Sequence, residues 1–303
     1  MPSFEAALGA RLAPSPTGAQ HLGNARTYLI AYWAARATGR RIVLRIEDVD
    51  SPRVKPWAVQ QAVEDLSWIG IDWDDGPIRQ TDRLPIYQEA LQTLIDNDRV
   101  YPCTCTRSDI EEAGSAPHFD HEPKVYPGTC SGWHVGDPLP ERPFCWRFRT
   151  SDSIRYVHDL VFGDMQANPK RDLGDFPVTQ KDGSPSYQLA VVVDDAAMGV
   201  DQVVRGDDLI ASVFRQIELY EALSLSPPTY AHVPLVVGLD GRRLAKRHGD
   251  TRLSQYREAG LDSNVIIDWA QETSGIDPEN FRWEDLNREK VVVDPESFGV
   301  RDT

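Results

Sequence analysis

Cysteine is scarce in this chain. There are four in 303 residues, too few for a disulfide framework at this length, which excludes the small secreted scaffolds that depend on one. No run of roughly 18 apolar residues occurs, so no membrane-spanning helix and no membrane partner are expected. The amino-terminal stretch MPSFEAALGARLAPSP has neither the basic start nor the apolar middle of a secretory signal, and a cytoplasmic location is expected. Positive charge is outnumbered, with 32 Lys and Arg against 47 Asp and Glu and a net charge of −15. Long-range repulsion from phosphates then disfavours a broad surface that grips nucleic acid by charge alone. Any RNA contact must be local, at patches such as Lys170-Arg171 and Arg242-Arg243. Internal repeats and low-complexity linkers are absent as well.

What is present suits a globular protein: 41% of the residues are hydrophobic, and the length suggests about two domains on a prior of ~150 residues each. Ala10–Ala13 reads as a strand, Pro14–Gly23 as a loop, and Ala25–Thr38 as a helix stopped by Gly39. A β-branched run, Ile42–Ile46, is followed by an acidic turn through Asp50 and a helix over Pro56–Ile69. This βαβα alternation predicts a parallel sheet with helices on its faces. After a helix at Arg83–Asn97, residues 101–187 change character, with many prolines, clustered metal-type ligands and short strand-like pieces such as Phe144–Arg149. They read as an insertion. The sheet pattern resumes with strands at Ala190–Val193, Gln202–Val204 and Ala231–Val237 and a helix at Asp208–Leu223; helical pieces follow at Leu253–Ala259 and Asn264–Glu272.

Two segments carry the elements of phosphate chemistry. Arg11-Leu-Ala-Pro-Ser-Pro-Thr-Gly18 and His21-Leu-Gly-Asn24 form a loop feeding a helix start, where backbone N–H groups attract anions and His21 can donate to a phosphate oxygen. The basic loop from Gly241 to Gly249 offers Lys246 to neutralise charge developing in nucleotidyl transfer. Taken singly, His-x-Gly is most often a turn and a basic loop a solvated face. Cys103, Cys105 and Cys130 crowd together at spacings that favour zinc, one ligand short of a closed site, and His118, His121, His134 and Tyr126 are all available as the fourth; Cys145 stands apart.

Together these segments resemble the glutamyl/glutaminyl subgroup of class I aminoacyl-tRNA synthetases. Arg11–Asn24 is similar to the subgroup's Arg-x-Ala-Pro-Ser-Pro-Thr-Gly and His-x-Gly signature, and Leu44-Arg45-Ile46-Glu47-Asp48 to its Arg-Ile-Glu-Asp strand end. Tyr187–Asp195 with Val204-Arg-Gly-Asp207 resembles its second half, and Arg243-Leu-Ala-Lys-Arg247 its mobile lysine loop, usually Lys-Leu-Ser-Lys-Arg. Arg243 and Ala245 depart from that loop, keeping charge but losing a hydroxyl, and Asn24 stands where the broader class often has a second His.

The resemblance implies an α/β fold: a Rossmann-type catalytic domain at 1–100 and 188–238, split by an acceptor-type insertion with a zinc site at 101–187. A mobile lysine loop and short helical C-terminal segment would occupy 239–303, with no anticodon-binding domain. It implies ATP, with Mg²⁺ on its phosphates, and L-glutamate as substrates. An amino acid with one ammonium and two carboxylates requires an anion and positioned guanidinium groups, because buried charges must be paired. Glu47 fits the ammonium, Arg11 and Arg205 fit the carboxylates, Ser15 and Tyr187 add hydrogen bonds, and Leu12, Ala13 and Pro14 line the approach. His21, Gly23, Asn24 and Lys246 are expected at ATP, with His21 and Lys246 stabilising the transition state electrostatically.

The spacing Cys-x-Cys-x20-Tyr-x3-Cys looks like the zinc site of the glutamyl-queuosine tRNA(Asp) synthetase branch, which implies Tyr126 as the fourth ligand of one structural zinc. That branch transfers glutamate to queuosine in the tRNA(Asp) anticodon, so the expected partner is an anticodon stem-loop carrying queuosine; the sequence leaves the oligomeric state open, and a monomer is the expectation. The end of the chain soon after Lys246 fits this branch better than a full glutamyl-tRNA synthetase. The alternatives are a truncated or divergent glutamyl-tRNA synthetase, a non-catalytic RNA-binding relic of one, and a small-molecule adenylyltransferase with a similar His-x-Gly loop.

Overall fold

The computed structural model describes residues 8–16, 18–49, 54–106, 108–110, 125–242, 244 and 251–298. Its centre is a seven-stranded sheet built from β1 (Gly9–Leu12), β2 (Arg41–Ile46), β3 (Asp75–Arg79), β6 (Arg155–Asp159), β7 (Gly163–Ala167), β9 (Val200–Gly206) and β10 (Thr229–Val233). The strand order is β3-β2-β1-β9-β10-β6-β7, parallel throughout except for the antiparallel edge strand β7. β2 reads RIVLRI and is buried from its second residue on, as a parallel strand covered on both faces must be.

Helices α1 (Leu22–Ala37), α2 (Pro56–Trp68), α3 (Leu84–Asp96), α4 (Tyr187–Ala197) and α5 (Ile210–Ala222) accompany the sheet. Pro56 opens α2 at a position where the missing N–H is harmless, and Gly70 lies just past its end at a φ of 76°. Arg26 of α1 is fully buried and donates to the carbonyls of Pro234 and Thr273, tying α1 to the C-terminal helix α7 (Ser263–Ser274). Ile266 and Ala270 of α7 share the core with Leu29 and Ile30 of α1. The shorter α6 (Leu253–Glu258) precedes α7, and β11 (Val236–Val237) pairs in parallel with β12 (Val291–Val292).

Two readings of the sequence are corrected. Ala190–Val193 is not a strand but the middle of α4. Residues 189–195 are all buried, so apolar contacts surround the helix and outweigh the modest helix penalty of three valines. A short all-apolar run carries no period that would tell the two structures apart. Residues 155–167 fall inside the stretch assigned to the insertion, yet β6 and β7 extend the central sheet through the pairing of Tyr230 with Asp159. A separate three-stranded antiparallel sheet comprises β4 (Val100–Cys103), β5 (Cys145–Phe148) and β8 (Phe176–Pro177).

Candidate functional site

Parallel sheets place ligands beyond the C-terminal ends of their strands. Here the ends of β1, β2 and β9 and the start of α1 enclose a cavity of about 520 Å³. Arg11, Ala13, Ser15, His21, Gly23, Asn24, Glu47, Tyr187 and Arg205 all line it. Leu12 does not: strand alternation sends its side chain into the core, where it is 2% exposed. Pro14 does not line it either, though its carbonyl accepts from the Glu47 amide at 3.0 Å and so joins the two loops. Lys246, His118, His121 and Arg243 lie outside the described residues.

His21 is the N-cap of α1. Its Nδ1 accepts from the amides of Gly23 (3.1 Å) and Asn24 (3.4 Å), while Asn24 Oδ1 accepts from the His21 amide (3.2 Å). This capping box corrects the expectation that those amides wait for a phosphate: the imidazole already satisfies them. With Nδ1 accepting, the neutral ring carries its proton on Nε2. The His loop is also joined to the segment after the basic loop, through Leu22 N to Thr251 O (3.1 Å) and Leu253 N to Gln20 O (2.9 Å).

The charges of the cavity are held from below. Arg45, fully buried, reaches Asp195 at 2.6 Å, Glu47 at 3.0 Å and Asp194 at 3.8 Å. Arg11 donates to Val204 O at 3.0 Å and lies 3.7 Å from Asp195. Burial pushes the Glu47 carboxyl above its usual range, against the pull of Arg45 and Arg11. Arg205 is 5% exposed and is fixed through Gln216, Tyr187, His232 and Leu209 O. The sequence reading missed these supports. Asp194 and Asp195 stood within the quoted Tyr187–Asp195 segment without a role, although two adjacent carboxylates in an apolar run need buried cations.

The cysteine cluster lies on β4 and the loops beside it. Cys105 Sγ is 3.7 Å from Cys130 Sγ, and Tyr126 Oη is 3.4 Å from Cys103 Sγ and 3.6 Å from Cys105 Sγ. A tetrahedron with Zn–S bonds of roughly 2.3 Å and a Zn–O bond of roughly 2.0 Å has S–S edges of about 3.8 Å and S–O edges of about 3.5 Å. These three distances match its edges, and the three sulfurs all lie within 4.8 Å of one another, a donor set suited to one zinc. The Cys145 thiol, opposite Cys103 in the β4–β5 register, holds the Cys103 thiol down at about 4 against its burial. Burial pushes Cys105 up to about 11. His134 is exposed, its Nδ1 lies 2.7 Å from Asp98 Oδ2, and it does not join the three cysteines whose sulfurs lie within 4.8 Å of one another. Lys170 and Arg171, offered above as an RNA patch, face Asp175 and Asp152 at 2.8 Å each, so their charge is largely neutralised.

Residues 7–286 match the family model described as tRNA synthetases class I (E and Q), catalytic domain. A relative from Rhodopirellula baltica named glutamyl-Q tRNA(Asp) synthetase is 56% identical, over 94% of this chain and 96% of its own length. One of the same name from Symbiobacterium thermophilum is 43% identical, over 91% and 90%. Among solved structures, a glutamate tRNA ligase from Elizabethkingia meningosepticum in complex with its amino acid superimposes with a TM-score of 0.82 at 26% identity, covering 96% of this chain and 68% of that one. No helix among the described residues is long and apolar enough to cross a membrane.

Proposed function

The chain belongs to the class I tRNA synthetases of the E and Q group, and we propose that it activates L-glutamate with ATP and transfers the glutamyl group to queuosine in the anticodon of tRNA(Asp). The observation that carries this reading is the convergence of two guanidinium groups, Arg11 and Arg205, and one carboxylate, Glu47, on a single cavity beside His21. That set is the charge complement of glutamate. Glu47 takes the ammonium, the two arginines take the carboxylates, and Tyr187 and Ser15 add hydrogen bonds.

The first step needs no side-chain nucleophile. An oxygen of the α-carboxylate attacks the α-phosphorus of ATP in line, a P–O bond forms, and pyrophosphate leaves with the electrons of the bond that breaks. The chain orients the two substrates and stabilises charge as it develops, His21 through Nε2–H and Lys246 through its ammonium. Mg²⁺ bound with ATP would supply charge neutralisation on its phosphates. In the second step a hydroxyl of the queuosine ring attacks the activated carbonyl, and AMP departs.

The queuosine branch is favoured by the two relatives matched over nearly their whole lengths. We assign Cys103, Cys105, Tyr126 and Cys130 to one structural zinc in the insertion, which holds the loops around β4 together. Radiolabelled glutamate, ATP and tRNAs with and without queuosine test the function. Label is expected only on queuosine-containing tRNA(Asp), and it should persist on an isolated anticodon stem-loop or after the 3′ end is trimmed. Label that requires an intact 3′ end would instead support a glutamyl-tRNA synthetase.

A further inference from the structure

The guanidinium of Arg205 is aimed in part by groups that do not line the cavity. Three neighbouring strands each present one polar side chain near their C-terminal ends: Arg205 on β9, His232 opposite it in register on β10, and Asp159 on β6. Asp159 and His232 are fully buried, and neither lines the cavity. They are bonded in series. His232 Nδ1–H donates to Asp159 Oδ2 at 2.6 Å, and Arg205 Nε–H donates to His232 Nε2 at 3.1 Å.

The direction of each bond follows from the one before it. Asp159 Oδ1 accepts from the amides of Val161 at 2.9 Å and Phe162 at 3.0 Å, at the turn between β6 and β7. The His232 amide approaches both carboxylate oxygens, at 3.2 and 3.3 Å. Burial opposes ionisation of Asp159, but these bonds more than offset it and hold the carboxyl below its usual range. An ionised Asp159 can only accept, so it selects the His232 tautomer with its proton on Nδ1, and Nε2 is left with a lone pair. That lone pair is what a guanidinium N–H needs. A ring with the proton on Nε2 would set donor against donor at the same contact.

Gln216 Oε1 and Tyr187 Oη, at 3.0 and 3.4 Å, take N–H groups on Nη1, and Leu209 O takes one on Nη2 at 3.2 Å. The guanidinium carbon also lies 5.3 Å from the Tyr230 ring centroid, and that ring stacks on His232. A guanidinium has five N–H donors, so among the described residues these bonds leave one on Nη2 for an incoming anion. With so few donors left, a turn of the guanidinium plane removes the contact.

We propose that Asp159 and His232 are positioning residues that set the tautomer and thereby aim Arg205 at a carboxylate of the amino-acid substrate. Affinity for that substrate is then governed in part by the β6–β7 hairpin, at the sheet edge remote from β1 and β2. This rests on the reading of the cavity as a glutamate site.

The test is glutamate-dependent pyrophosphate exchange by the full chain and three variants. His232→Asn keeps an N–H toward Asp159 but has no atom that reaches Arg205; the KM for glutamate should rise about tenfold or more, with the KM for ATP and kcat within about twofold. His232→Gln can bring an amide oxygen to the position of Nε2 and should recover most of the affinity. Asp159→Asn relaxes the tautomer and should raise the KM for glutamate in the same selective way. A glutamate KM unchanged in His232→Asn, with a wild-type circular dichroism spectrum, would overturn the proposal. So would an equal loss in His232→Asn and His232→Gln, or a parallel loss of ATP binding in Asp159→Asn. If His232→Asn does not fold, the other two variants decide on the same criteria. Failure of the underlying reading is distinct: the unaltered chain would then show no exchange that depends on glutamate.

Discussion

Gly23 lies directly beneath the imidazole of His21. A Cβ built on Gly23 would come 3.1 Å from Cε1 and 3.2 Å from Nδ1 of that ring, closer than side-chain contacts ordinarily allow. The glycine of His-x-Gly therefore serves the histidine: its bare backbone lets the ring fold back and cap α1.

Replacing Gly23 with Ala separates this role from helix stability. Alanine is better than glycine inside a helix by up to about 1 kcal/mol, so the melting temperature should hold or rise. The displaced ring should nevertheless slow pyrophosphate exchange by roughly tenfold, about 1.4 kcal/mol of transition-state stabilisation. Loss of both stability and activity would argue against the arrangement.

Lys246→Ala removes the second cation assigned to the transition state. Its effect should fall on the rate, on the order of a hundredfold or about 3 kcal/mol, with a smaller change in glutamate affinity. Single-turnover formation of the adenylate measures the two separately.

Glutamate affinity should depend on acid in a way set by Glu47. Burial raises its carboxyl above the ordinary carboxylate value, and only the ionised form can pair with the substrate ammonium. Affinity should therefore be lost as pH falls through that raised value, beginning at a higher pH than an exposed carboxylate would show. In the free protein the sign reverses, because charging a buried group whose folded value is raised removes stability as pH rises through it. A pH series of the glutamate KM, with Glu47→Gln losing this limb, checks the assignment.

Arg45 does not line the cavity, but Glu47, Asp194 and Asp195 all lean on it. Arg45→Ala would leave buried carboxylates uncompensated, a change that typically costs about 3–5 kcal/mol. Urea unfolding should register a loss of that size. A loss below about 1 kcal/mol would mean that water reaches these groups.

For the cysteine cluster, chain purified without chelators should carry about one zinc, and Cys103→Ser should lose it. Tyr126→Phe retains the three sulfurs and removes only the oxygen, so it should retain zinc with weaker hold, seen as faster transfer to a chromogenic chelator. Equal release from Tyr126→Phe and wild type would leave Tyr126 outside the metal shell.

Much of the site was legible because its chemistry sits in contiguous segments. Arg11 through Asn24 occupies one loop and helix start, and Glu47 ends a β-branched strand, so pattern and position agree. What could not be read locally depends on distant partners. Asp159, Gln216 and His232 act on Arg205 from three separate elements, and nothing near any of them in the chain marks that role. Helix α4 was mistaken for a strand for a related reason: burial on every side erased the amphipathic period that identifies a helix. The β6–β7 hairpin was hidden within a stretch whose composition suggested an insertion, because edge pairing in the sheet leaves no mark on composition.

The pairing of β1 with β9 carries a consequence for how the molecule is made. The Gly9 amide bonds to Asp201, 192 residues onward, and Arg11 to Val204, 193 onward. At synthesis rates of about 5–20 residues per second, the first strand emerges on the order of ten to forty seconds before the neighbour that covers its second edge. During that interval β1 can pair with β2 but presents an open, apolar edge, and the floor of the cavity lacks half its wall. Ribosome-associated chaperones that shield strand edges should therefore matter more to the yield of this protein than its final stability would suggest, and a circular permutant beginning near residue 187 should shorten the wait.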